Sequence, residues 1–143
     1  MEVFDEKLIS ELLNTAERDE RLRTHFDLRT TQEDSSQRLL NAMIPGTKVP
    51  IHRHKHSSET IVCIEGCLDF VFYEMQNDKE VDESFCNGEV AKDESAFVEV
   101  ARYRLCPQEK LYGIQVPMMA WHTVEVYEPS VIMIAKDGKY GER

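Results

Sequence analysis

In the N-terminal segment VFDEKLISELLNTAERDERLR, Leu8, Ile9, Leu12, Leu13 and Ala16 recur at helical spacing, giving one apolar stripe on an otherwise charged helix. Asp5 stands where an N-cap belongs, and Phe4 before it is placed to pack on Ile9 as a hydrophobic staple. From Gln37 onward the texture changes to short apolar or alternating runs: RLLNAMI, VPIHRH, TIVCIEG, LDFVFYEM, AFVEVARYRL, YGIQVP, HTVEVYE and SVIMIAK. Pro45-Gly46, Gly66, Pro107 and Glu128-Pro129-Ser130 separate them. One helix followed by seven or eight short strands predicts a mainly β chain closed as an antiparallel barrel or sandwich. The pattern places a helical arm at about 1–30 and the barrel at about 36–137 of a single domain, 1–143. The acidic segment MQNDKEVDESFCNGEVAKDESA reads as a hairpin with an exposed loop.

Charge narrows the partners. Seventeen Lys and Arg against 27 Asp and Glu leave a net charge of -10, which repels a phosphate backbone or an anionic bilayer, so nucleic acid and membrane are not expected partners. Arg21, Arg23 and Arg29 nevertheless cluster, as do Arg102 and Arg104, and either group is able to receive a carboxylate or phosphate, although a solvated face is the plainer reading. The chain shows neither a basic-then-apolar leader nor an apolar run of spanning length, which predicts a cytoplasmic protein. Cys63, Cys67, Cys86 and Cys106 form no C-x-x-C pair and read as small apolar fillers in a reducing compartment.

The stretch GTKVPIHRHKHSSETIVCIEG holds three of the chain's five histidines at every second position. On an extended strand His52 and His54 share a face, with Arg53 opposite. His56 joins them only if the strand continues, and the serines that follow it read as a turn. Glu59 then begins an apolar run, as expected of a strand returning antiparallel beside the histidines; if Glu59 faces inward, Ile61 and Cys63 share its face. Divalent transition metals accept imidazole nitrogen and carboxylate oxygen together at roughly 2.0–2.2 Å, and two His with one carboxylate leave positions open for substrate or oxygen.

Gly46, His52, His54, Glu59 and Gly66 stand at spacings that resemble, in full, the first conserved motif of the cupin superfamily. VPMMAWH resembles the second motif at Pro117 and His122, with Met119 where that family usually has glycine and Val126 where asparagine often follows. RLRTHFDL, QRLLNAMIPGT, HRH, WHTV and KDGKY look like the WbuC family of cupin-fold metalloproteins, over nearly the whole chain. That family is associated with O-antigen and surface polysaccharide gene clusters. The resemblance implies a double-stranded β-helix barrel, one divalent transition metal (Fe, Mn, Zn or Ni) held by His52, His54, Glu59 and His122, and a sugar or nucleotide-sugar ligand.

Around this set, Arg21, Arg23 and His25 are candidates for the pocket rim, and Arg38 and Asn41 lie on opposite faces of one strand, so at most one of them faces the barrel. Trp121 should point away from His122, and Met118 and Met119 either narrow the pocket mouth or simply pack. His56 and Tyr112 are the candidates for moving a proton, with Tyr73 and Tyr103 more simply barrel filling. Lys136 and Tyr140 belong to the family-like tail. Three functions fit: isomerisation or epimerisation at a Lewis acid, oxygen-dependent cleavage at iron, or non-catalytic sugar binding or sensing. Exposed barrel edges make a homodimer the expected assembly.

Overall fold

A computed structural model describes residues 1–76, 86–87 and 90–138. Helix α1 (Glu6–Arg18) begins where Asp5 caps it, its carboxylate accepting from the Leu8 amide at 3.0 Å. Leu8, Ile9, Leu12 and Ala16 are buried against Leu40, Ala42 and Val131, so the helix lies on the outside of the sheet by the predicted stripe. Each large aliphatic buried there contributes roughly 2 kcal/mol. Phe4 does not act as a staple; it is 47% exposed and outside this cluster.

The strands are β1 (Arg23–Asp27), β2 (Ser36–Met43), β3 (Glu59–Met75), β4 (Cys86–Asn87), β5 (Val90–Ala91), β6 (Phe97–Leu105), β7 (Gly113–Val116) and β8 (Trp121–Asp137). All pairings are antiparallel, in the order β1-β2-β8-β3-β6, with β7 on β3 and β4 on β5 apart. The mainly β architecture with an external N-terminal helix is therefore as the pattern predicts. No helix among the described residues is long and apolar enough to cross a membrane.

Four element assignments differ from the prediction. TIVCIEG and LDFVFYEM are one strand, because Gly66 (φ 103°) bends the chain without ending its pairing. A Cβ there would sit 2.2 Å from Ser130 Oγ, so only glycine lets β3 cross β8 this closely. HTVEVYE and SVIMIAK likewise run on as β8 through Pro129, opposite that bend. VPIHRH is not a ladder strand: its single bridge residue is His52, paired with His122 and with Val90. The RTHFD segment, expected only to follow the helix, is β1 and pairs with β2. Residues 77–85 and 88–89 of the acidic segment lie outside the described residues, as does Tyr140.

Alternation along β2 positions the site. Leu40 and Ala42 face α1, while Gln37, Leu39, Asn41 and Met43 face a cavity inside the barrel. The interior behind that cavity is built from Met43, Ile61, Cys63, Leu68, Phe70, Leu105, Val116 and Ile132.

A convergent imidazole and carboxylate site

Reciprocal backbone hydrogen bonds, His52 N to His122 O at 3.0 Å and His122 N to His52 O at 2.8 Å, lock these residues opposite one another. Their ring centroids lie 4.4 Å apart. His52 Nδ1 donates to the Pro50 carbonyl and His122 Nδ1 to the Ala120 carbonyl, each at 2.8 Å. With Nδ1 carrying the proton, each neutral ring presents the lone pair of Nε2, the tautomer a metal ligand requires. The Met119 amide donates to the His54 carbonyl at 2.8 Å, tying the histidine segment to the turn before β8. Met119 adopts φ 71°, the left-handed conformation for which the second motif uses glycine, so the turn keeps its shape at some backbone cost.

His52, His54 and His122 each bring one ring nitrogen within 4.8 Å of the others. Glu59, buried at the start of β3, is not in that mutual set but reaches it from one side. Its Oε1 lies 3.1 Å from His54 Nε2 and 3.4 Å from His122 Nε2. Yet both ring nitrogens of His54 are buried without a hydrogen-bond partner, so the 3.1 Å approach is close but not aligned as a hydrogen bond. A carboxylate oxygen facing the lone pairs of two imidazoles is repulsive unless a proton or a cation lies among them. Three such nitrogens and one oxygen converging together fit a metal ion, which accepts all four.

The electrostatics agree with that arrangement. Burial pushes the His52 imidazole down to about 3, with His122 and His54 adding to the effect, which keeps its lone pair available. Burial alone would raise the Glu59 carboxyl, but the neighbouring His122 and His54 rings draw it well below the ordinary carboxylate range, so it is anionic. Glu59, Ile61 and Cys63 alternate inward together as expected, although β3 returns against β7 and β8 rather than against the histidine segment.

The cavity over this cluster has a volume of about 560 Å³. Arg21, Arg23, His25 and Lys136 line it with the histidines. Arg23 donates to the Lys48 carbonyl at 3.1 Å, and Arg21 leans on Asp19 at 3.4 Å, so both guanidinium groups are anchored near the mouth. Arg38 is elsewhere, paired with Asp34 at 2.7 Å and outside the lining. Neither proposed proton carrier lines the cavity: His56 is exposed, and Tyr112, 58% exposed, belongs to a shallow outer groove with Tyr103 and Arg104. Trp121 points away from His122 as predicted, against Ile51 and Phe97, with the Arg53 guanidinium 4.4 Å from its ring. Met118 and Met119 are exposed and do not line the cavity.

Gln37 is the site residue that sequence reasoning missed, and Asn41 is the member of the Arg38–Asn41 pair that faces inward. Both are buried, both line the cavity, and Gln37 Oε1 and Asn41 Oδ1 make no hydrogen bond. The signal was present: two amides four residues apart, on the same face as Leu39 and Met43, on a strand whose other face serves the helix.

Residues 4–85 match the family model "Domain of unknown function (DUF6016)", more than half the chain. The chain belongs to the DUF6016 family. No curated protein matches it. Among solved structures, the DUF6016 chain is similar to the capsular polysaccharide assembling protein CapF from Staphylococcus aureus, at TM-score 0.54 and 19% identity over 81% of this chain. It spans only 27% of that CapF chain. The cupin domain of Schizosaccharomyces pombe Cnp3 is similar at TM-score 0.53 and 13% identity, over 82% of this chain and 65% of that one. KdgF from Halomonas sp. is similar at TM-score 0.50 and 12% identity, over 85% and 84% of the two chains. At these identities the likeness establishes the fold, and the DUF6016 chain is a cupin barrel with an N-terminal helix.

Proposed function

We propose that this barrel binds one divalent transition metal through His52, His54, Glu59 and His122 and uses it to hold an anionic sugar or nucleotide-sugar. The observation that carries the reading is the convergence of three Nε2-directed or unpartnered imidazoles and a buried anionic carboxylate beneath a cavity of about 560 Å³. A divalent metal there supplies a Lewis acid for a carbonyl or hydroxyl oxygen.

The remaining work falls to the chain's own residues. Gln37 and Asn41 offer bare amide oxygens that accept from sugar hydroxyls, and leaving them dry would cost roughly 1–3 kcal/mol each. Arg21, Arg23 and Lys136 give the wall of an otherwise acidic protein a positive edge suited to a carboxylate or phosphate. His25 and Lys136 are the titratable groups of the lining positioned to move a proton, in place of His56 and Tyr112. Isomerase- or epimerase-like chemistry follows from a Lewis acid beside such a group. The resemblance to WbuC and the likeness to CapF, named for capsular polysaccharide assembly, support a role in bacterial surface polysaccharide metabolism.

The test is a thermal-shift screen of metal-loaded protein against neutral sugars, uronic acids and nucleotide-sugars, repeated on Asn41→Leu and Arg23→Ala. The expected result is a shift with anionic sugars that Asn41→Leu and Arg23→Ala each diminish. Shifts confined to neutral or apolar compounds, or unchanged in both variants, contradict it.

A further inference from the structure

The outer face of the barrel carries a second convergent donor set that the imidazole site does not use. Leu68 on β3 pairs with Leu105 on β6, so one step further along each strand sets Cys67 against Cys106. Leu68 and Leu105 fill the interior, which turns both cysteines to the opposite, outer face. The chain leaves β6 through a tight loop: Cys106 N donates to Leu111 O at 2.7 Å and Leu111 N to Cys106 O at 3.2 Å, around a short 3₁₀ turn, Pro107–Glu109. A 3₁₀ turn brings residue i+3 over residue i, and here it carries Glu109 back over Cys106. Lys110, at φ 63°, closes the loop in that form. The result is two buried thiols and one exposed carboxylate whose ligand atoms all lie within 4.8 Å of one another. Cys67 Sγ is 3.9 Å from Glu109 Oε2.

We propose that Cys67, Cys106 and Glu109 form a zinc site, distinct from the imidazole site and open to solvent through Glu109. Both thiols are unbridged. Tetrahedral zinc has Zn–S bonds of about 2.3 Å and Zn–O bonds of about 2.0–2.2 Å, which place neighbouring ligand atoms at separations of this size. Two thiolates make the set softer than the imidazole and carboxylate set inside the barrel and select zinc over magnesium, calcium or manganese. Two thiolates and a carboxylate exceed zinc by one negative charge, and the Arg104 guanidinium that donates to Asp69 also lies 4.0 Å from Glu109 Oε2, where it softens that excess. Three protein ligands leave the fourth position for water.

Cobalt(II) distinguishes the two sites, because only thiolate ligands give an intense sulfur-to-metal charge-transfer absorption in the near ultraviolet. The full chain, purified reduced and metal-free, is titrated with Co²⁺ and then with Zn²⁺. The expected result is a charge-transfer band that zinc displaces, that persists in His52→Ala/His122→Ala and in Cys63→Ser, and that Cys67→Ser/Cys106→Ser abolishes. Glu109→Gln, an exposed change that leaves the fold intact, weakens zinc binding by at least about tenfold and keeps the proposal testable if the double serine variant does not fold. A folded, reduced protein without the band, a band that survives in the double serine variant, or zinc affinity unchanged in Glu109→Gln overturns the proposal. Loss of the band in a folded histidine variant would mean that the thiols bind metal only together with the imidazole site, and also overturns the proposal of a distinct site.

Discussion

Two buried carboxylates stand ten positions apart on β3 and differ in every respect that matters. Asp69 is 2% exposed and fully partnered: Arg104 Nε donates to it at 2.8 Å, Tyr127 Oη at 2.8 Å and Arg102 Nη1 at 3.2 Å. Arg102 in turn binds Glu99 and Glu125, so the outer face of β3, β6 and β8 is knit by a closed ionic network. Glu59 is 5% exposed, and its neighbours are two imidazole nitrogens with no fixed positive charge between them. Burying a carboxylate costs several kcal/mol unless it is paired and hydrogen-bonded. Asp69 meets that condition from within the chain, whereas Glu59 meets it only when a cation or an imidazole proton lies between it and the His54 and His122 rings. A satisfied buried charge reads as architecture, and an unsatisfied one as a place for something the chain does not itself contain.

The comparison makes predictions that separate the two carboxylates. The largest effect belongs to the imidazoles: metal analysis of protein purified without added metal should give about one equivalent at the imidazole site, and His54→Ala or His122→Ala should remove most of it by deleting a direct ligand. Next, Asp69→Asn should lower the unfolding free energy by about 2–3 kcal/mol in urea titrations, since two charge-assisted hydrogen bonds lose their charge, and should leave the metal content unchanged.

Acid should act through Asp69 in the same direction. Burial tends to raise its carboxyl, but Arg104, Tyr127 and Arg102 hold it below the ordinary aspartate value. Its stabilising contribution is therefore complete above the unfolded value of about 3.9 and is lost as pH falls through the lower folded value. Metal-free native protein should lose stability over that range, and Asp69→Asn should show a shallower slope. The smallest effect is Glu59→Gln without metal, where removing a buried charge that lacks a cation should leave the melting temperature unchanged or raise it, by up to about 1 kcal/mol in stability. A marked fall would mean that Glu59 is a structural partner like Asp69.

These two carboxylates were unequally legible in the sequence. Glu59 stood out because spacing to His52, His54, Gly46 and Gly66 frames it, and Asp69 carried no local signal, since its partners Arg104 and Tyr127 arrive from other strands. The helix and most strands could be read from their periods, because α1 and β2 bury one face against a single neighbour. The long strands could not. Gly66 and Pro129 are breakers by composition, and only the close crossing of β3 and β8 makes them bends within continuous pairing. The histidine segment misled in the opposite sense: alternation suggested a ladder strand, but a single bridge to His122 is enough to align His52 and His54. Gln37 stayed hidden because a polar residue in an alternating run is ordinarily taken to face solvent, and β2 has no solvent face between the helix and the cavity.

The central claim is that Glu59 holds a cation with the imidazoles while Asp69 does not, and the metal-induced rise in melting temperature measures it directly. Native protein, Glu59→Gln and Asp69→Asn are stripped of metal and melted with and without one equivalent of Mn²⁺, an ion that the imidazole and carboxylate set accepts and the thiolate set disfavours. The account predicts a full shift in Asp69→Asn, from a lower starting temperature, and a shift reduced to a fraction in Glu59→Gln. A shift retained in Glu59→Gln, or lost equally in both variants, would contradict it.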